Sequence, residues 1–133
     1  MPVDRLRRLA RHLPVLEAPE FSFGSWVASQ TDEAGVIHLG WFEPSPGAEA
    51  FLADARAFVT PFDWPSWAAS AAGRALLDDP IAVASASSDD LGRLLTTLIR
   101  SERFGDGTLE SAFKRGMLTV IVRRAAVLAD QSA

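Results

Sequence analysis

Residues 91–124 read LGRLLTTLIRSERFGDGTLESAFKRGMLTVIVRR, and this stretch decides the fold because it predicts three helices and both turns between them. Apolar residues recur at helical spacing in its first part, so that one face carries Leu91, Leu94, Leu95, Leu98 and Ile99. Ser88 is a suitable N-cap, and Arg100 and Arg103 place positive charge at the last turn, where the helix dipole is negative. We therefore expect an amphipathic helix whose leucine face packs against a core.

Glycines mark the two turns that follow. Gly105 and Gly107 interrupt the helix, and Thr108 is expected to cap a second, short helix over 109–115. Gly116 stands where a left-handed C-terminal residue belongs. The third helix, 117–129, is apolar on almost every side, which predicts that it is either buried centrally or covered by a partner.

Several motifs carry a resemblance to a known family. The segments FGSW and FDWPSW, the run LLTTLIRSERFGDGTLESAFKRG and the following IVRR resemble the small bacterial proteins catalogued as domain of unknown function 6508. The resemblance covers most of the chain, from FGSW onward. It implies a bacterial origin, but the family has no established activity, so no catalytic residue can be carried over from it.

The remainder of the chain predicts more helices and one hairpin. Pro14 should bend or end a first helix over 3–16, and a turn at 31–35 separates two short strands, 25–29 and 36–42. Further helices are expected from Ser45 onward and over about 64–77. The predicted fold is mainly α: a single domain over 1–133, built as a bundle of five to six helices with a small β-hairpin or extended insert at about 25–42.

Composition excludes several classes of function. The 133 residues include no cysteine, so disulfides, zinc-thiolate sites and thiol nucleophiles are ruled out. No apolar run is long enough to span a bilayer, and we expect a soluble, cytoplasmic protein that does not bind membranes. His12 and His38 match no local metal-binding spacing, and no nucleotide-binding or hydrolase motif is present. We predict neither a metal nor a cofactor.

The residues that could form a ligand site are aromatic and charged. Asp63 lies among Phe62, Trp64 and Trp67, and aromatic surroundings can raise the pKa of a carboxylate, although Asp63 is also well placed as an N-cap. These residues could form a speculative pocket for an anion together with two arginines and a histidine. The set is Asp63, Trp64, Trp67, Arg100, Arg103 and His38.

Three functions remain open at this point. The first is a non-enzymatic protein-interaction module that binds a protein partner or a second copy of itself, suggested by the apolar last helix and the four tryptophans, most of which we expect in the core. The second is an anionic small-molecule-binding or catalytic pocket around Asp63, Trp64, Trp67, Arg100 and Arg103. The third is a DNA-binding helix-turn-helix in 109–129, which Leu118, Val120 and the formal net charge of -4 disfavour.

Overall fold

A computed structural model describes residues 3–105 and 107–132, and the fold is mainly α-helical with a small antiparallel hairpin. The α-helices in these residues are α1 (Val3–Ala10), α2 (Leu13–Glu17), α3 (Pro46–Ala55), α4 (Trp64–Ala69), α5 (Ala71–Leu77), α6 (Ser88–Glu102), α7 (Thr108–Lys114) and α8 (Met117–Gln131). Two 3₁₀ segments follow α3 and α5, at Arg56–Phe58 and Pro80–Ser85. The strands are β1 (Gly24–Val27), β2 (Gln30–Thr31), β3 (Ile37–His38) and β4 (Trp41–Pro44).

Helix α8 lies at the centre of the molecule. It packs most extensively on α1 and on the 3₁₀ segment Pro80–Ser85, and it also contacts α2, α6 and α7. The side chains that face these neighbours are buried: Met117, Leu118, Ile121, Val122, Ala125 and Ala129. Of the two explanations for its apolar composition, central burial is therefore the one that the structure supports.

The ends of the C-terminal helices differ from prediction by one residue. Ser87, rather than Ser88, caps α6, because its Oγ accepts a hydrogen bond of 3.1 Å from the backbone N–H of Asp90. Gly107, with φ +101°, precedes α7 in the position predicted for Thr108. The carboxylate of Glu102 accepts hydrogen bonds from the N–H groups of Gly107 and Thr108 at 3.0–3.1 Å. A side chain from α6 thus provides acceptors for the backbone N–H groups at the start of α7, which have no partner within that helix.

Two helices predicted as continuous are broken, which is why eight α-helices occur in the described residues rather than five or six. The predicted helix 3–16 is interrupted between Ala10 and Leu13, and Pro14 lies in the first turn of α2. The predicted helix 64–77 is interrupted at Ser70. Its Oγ donates to the carbonyl of Trp67 at 2.6 Å and accepts from the N–H of Gly73 at 3.1 Å, so one hydroxyl ends α4 and begins α5.

The predicted hairpin is confirmed, and a single register runs along it. Val27 pairs with Trp41 near its base, and Thr31 pairs with Ile37 near its tip, so the interruption between β1 and β2 inserts no extra residue. At the tip, Asp32 Oδ1 accepts the N–H groups of Ala34 and Val36, both at 2.9 Å. The turn is therefore held by a side chain as well as by backbone pairing.

Within the described residues, no helix is both long enough and apolar enough to cross a bilayer.

Candidate functional site

A cleft of about 640 Å³ lies between the base of the hairpin, α3 and α6. We call it the arginine cleft, because Arg56, Arg100 and Arg103 lie along it. Among the residues that the structure describes, Glu49 and Glu102 are the acidic members of its lining. The apolar part of the lining consists of Phe23, Phe42, Pro44, Leu52, Val59, Ile99 and Leu109. The cleft thus combines a hydrophobic floor with charged groups, which is the usual composition of a small-molecule site.

The three arginines are placed by helix ends. Arg56 begins the 3₁₀ segment after α3, Arg100 lies in the last turn of α6, and Arg103 is the C-cap of α6. None of their side chains forms an ion pair or hydrogen bond with another group in residues 3–105 and 107–132. Glu102, in contrast, is already engaged by the N–H groups at the start of α7. The cleft therefore holds cationic groups that no described side chain neutralises by direct contact.

The residues predicted to form an anion site do not share one lining. Arg100 and Arg103 line the arginine cleft, whereas Asp63, Trp64 and Trp67 do not. The Trp64 ring lies 6.3 Å from that of Phe104, and the Trp67 ring lies 6.3 Å from that of Phe62.

Asp63 is an N-cap. Its Oδ1 accepts the N–H of Ser66 at 3.2 Å, and its Oδ2 accepts the Ser66 hydroxyl at 2.7 Å. These bonds stabilise the ionised form and therefore lower the pKa of Asp63. The bond from the Ser66 hydroxyl has the larger effect, and the bond from the Ser66 N–H has the smaller one. The hypothesis that its aromatic neighbours raise this pKa is wrong, because the carboxylate is exposed to solvent and hydrogen-bonded.

Helical spacing over 3–16 predicts that His12 is exposed on the arginine side of the first helix, and this prediction is wrong. Its side chain is only 15% exposed, and its Nε2 lies 2.6 Å from Asp54 Oδ2 on α3. The imidazole also meets the ring of Phe51 edge-on, with centroids 6.0 Å apart. The break between α1 and α2 accounts for the error, because His12 falls in that break and does not follow the helical period. The contact between His12 and Asp54 joins the start of α2 to α3.

No group of three or more possible metal ligands occurs in the described residues.

The hairpin exposes large apolar side chains. Ile37, Leu39 and Trp41 are 67%, 79% and 47% exposed, and they alternate along the returning strand. We call these three residues the exposed row. Alternation places them opposite Phe42, which packs toward the core with Trp26 at a ring distance of 5.2 Å. The prediction that most tryptophans are core residues is wrong for Trp26 and Trp41, which are about half exposed.

His38 lies on the hairpin, away from the arginine cleft, and pairs with the turn. Its Nε2 is 3.0 Å from Asp32 Oδ2. The hydrogen bond with His38 contributes most to holding the pKa of Asp32 below its ordinary value of 3.8. The hydrogen bonds from the N–H groups of Val36 and Ala34 lower this pKa by smaller amounts.

We expect the turn to lose order only at strongly acidic pH. Because folding lowers the pKa of Asp32, its stabilising contribution is complete above 3.8 and is lost as pH falls through the lowered pKa. Carbon-detected NMR titration of the Asp32 carboxyl should give a midpoint below 3.8, and the His38→Ala variant should bring it closer to that value. A midpoint at or above 3.8 in the unmodified protein would contradict the described turn.

The start of α8 has one buried face, which consists of Met117, Leu118 and Ile121. Thr119, Val120 and Arg123 lie outside that face and are not buried. The helix-turn-helix alternative for 109–129 stays a prediction.

The hairpin, the central α8 and the surrounding helices define a mainly α protein. A family model described as "Family of unknown function (DUF6508)" matches residues 1–131, and the chain belongs to that family. The resemblance noted from the sequence is therefore confirmed, and it extends to the first helix. No match was found among curated proteins or among solved structures.

Proposed function

We propose that this protein is a non-enzymatic interaction module that binds another protein through the exposed row. The observation that carries the proposal is the exposure of Ile37, Leu39 and Trp41, all between 47% and 79%, on one face of the hairpin. Adjacent large apolar side chains on a surface are typical of contact sites, and tryptophan is enriched among the residues that dominate binding energy.

The architecture of the hairpin supports this role. The described strands form only two-stranded pairings, so β1 and β4 each have an edge without a neighbouring described strand. A two-stranded hairpin is marginally stable alone in water, and a partner that adds contacts to it gains both apolar burial and backbone hydrogen bonds. The helical core holds the base of the hairpin through the buried Phe42 and leaves its tip in solvent.

Charge indicates the chemistry of the partner. Residues 24–44 contain Asp32, Glu33 and Glu43 but no lysine or arginine. The partner segment should therefore combine apolar side chains with flanking lysine or arginine, since opposite charges at the rim favour association. A second copy of this chain is disfavoured as the partner, because a two-fold contact between identical hairpins would bring like charges together.

Site-specific photo-crosslinking in the native host tests the proposal. A photo-reactive amino acid at position 39 should form an adduct with one defined protein, whereas the same residue at position 81 should not. Ile81 is a matched control because it is also a large aliphatic residue, 83% exposed, on the 3₁₀ segment Pro80–Ser85 rather than on the hairpin.

The crosslinked protein is then purified and its affinity for this chain measured directly. Leu39→Asp should weaken binding by more than about tenfold, because it removes an apolar contact and places a carboxylate where it must lose its water. Ile81→Asp should leave binding nearly unchanged. The proposal fails if position 39 gives no defined adduct, if position 81 gives the same one, or if the adduct is a second copy of this chain.

A further inference from the structure

We infer that the arginine cleft is a binding site for a small monocarboxylate with an apolar body, such as a medium-chain or aromatic acid. This inference is independent of the proposed interaction through the exposed row. It differs from the site predicted from sequence, since it keeps Arg100 and Arg103, adds Arg56, and does not use Asp63, Trp64 or Trp67.

The apolar lining determines the body of the ligand. Phe42, Leu52 and Leu109 are buried residues of the core that reach the cleft, and Phe23 continues the same surface. An aliphatic or aromatic group resting on them leaves water at a gain of about 25 cal/mol per Å² of apolar area. The volume of about 640 Å³ is of the size that encloses a compact organic molecule.

The charged lining determines the head group. Among the residues that the structure describes, three arginines and two glutamates line the cleft. Their net charge of one positive unit favours a monoanion over a phosphate or a dicarboxylate. Glu102 accepts the N–H groups at the start of α7, and within the described residues it forms no ion pair with Arg100 or Arg103. A guanidinium binds a carboxylate through two parallel hydrogen bonds, and Arg100 and Arg103 approach the cleft from the same end of α6.

A second apolar groove provides a useful contrast. It lies between the 3₁₀ segment Pro80–Ser85 and α8, and it also contains two arginines. Both are already engaged: Arg123 pairs with Glu17 at 2.8 Å, and the Nε of Arg124 donates to the carbonyl of Ala86 at 2.7 Å. An acid that binds by apolar contact alone would enter either groove. An acid that needs guanidinium groups with no partner among the described side chains would select the arginine cleft.

Titration of the purified protein with decanoate, decanol, decylamine and decyl phosphate tests this inference, each below its micelle-forming concentration. We expect saturable binding of decanoate, observed as an increase in Tm and as methyl NMR shifts of Leu52, Ile99 and Leu109. The methyl signals of Val127, in the contrasting groove, should stay in place. Decanol and decylamine should bind at least about tenfold more weakly, since they lack the carboxylate.

Variants connect the binding to the named side chains. Arg100→Gln combined with Arg103→Gln should weaken decanoate binding by about 10- to 150-fold, the range expected for lost hydrogen bonds to a charged group. Arg74→Gln, an exposed arginine outside the cleft, should change it less than about twofold. If the double variant does not fold by circular dichroism, Arg56→Gln takes its place, with a loss of at least about threefold expected from removing one of the three guanidinium groups.

Four results would overturn the inference: no saturable binding of decanoate, equal binding of decanol, shifts confined to Val127, or an unchanged affinity in the folded arginine variants. Tighter binding of decyl phosphate than of decanoate would overturn the assignment to a monocarboxylate.

Discussion

Replacing Ile121 with alanine is expected to lower the free energy of unfolding by about 2–5 kcal/mol. Ile121 is fully buried in α8, the helix on which α1, α2, α6 and α7 converge, so truncation leaves a cavity that these helices cannot readily fill. Val127→Ala, on the same helix but 42% exposed, should cost about 0.5 kcal/mol. Urea denaturation measures both changes in the free energy of unfolding, provided that the dependence of this free energy on urea concentration is the same in the variants and the unmodified protein.

This comparison also tests the position of α8. If α8 were the contact helix of a dimer, Ile121→Ala would change the molecular mass measured by light scattering and leave the unfolding of the monomer nearly unaltered. We expect the opposite: a less stable protein of unchanged mass.

Replacing Gly40 with alanine is expected to open the hairpin without unfolding the helices. A Cβ at this position would lie 2.5 Å from the carbonyl oxygen of Val27 and 3.0 Å from the N–H nitrogen of Ser29, so the two strands must separate. We expect a local cost of about 1–3 kcal/mol. Amide hydrogen exchange in 24–27 and 41–44 should accelerate by about 5- to 150-fold, while exchange in α6 and α8 stays unchanged.

Gly105→Ala is the matched control for Gly40→Ala. Apart from its chain neighbours, no described residue has an atom within 4 Å of a Cβ built at Gly105. Its φ is not positive, so this change should be neutral or slightly stabilising. If both variants leave hairpin exchange unchanged, the close approach of the strands at Gly40 is wrong. If Gly40→Ala opens the hairpin, it should also weaken binding of the proposed partner, since the exposed row loses its alignment.

The sequence predicts the C-terminal helices well because their signals are local. The leucine face of α6, the left-handed Gly116 and the apolar α8 depend on residues three or four positions apart. The errors at Ser87 and Gly107 are one-residue shifts between adjacent residues that could serve as caps, and element ends are the least certain part of any such prediction.

The errors in the candidate site come from contacts that are distant along the chain. The pairing of His12 with Asp54 joins residues 42 positions apart, and no local pattern indicates it. Ile37, His38 and Leu39 are all exposed, and strand alternation in the sequence does not tell which face of a strand meets the core. No local pattern identifies Arg56 as a ligand residue, because it is remote in sequence from Arg100. Only the packing of the 3₁₀ segment Arg56–Phe58 on α6 brings both arginines to one cleft.

Strand β4 is shared by the two surfaces proposed here. Trp41 belongs to the exposed row, and its neighbour Phe42 forms part of the wall of the arginine cleft, so the two surfaces lie back to back across one layer of backbone. If occupying one of them shifts this strand, it alters the affinity of the other, and thermodynamic reciprocity then requires equal effects in both directions. In that case decanoate and the proposed partner would change each other's affinity for this chain by the same factor.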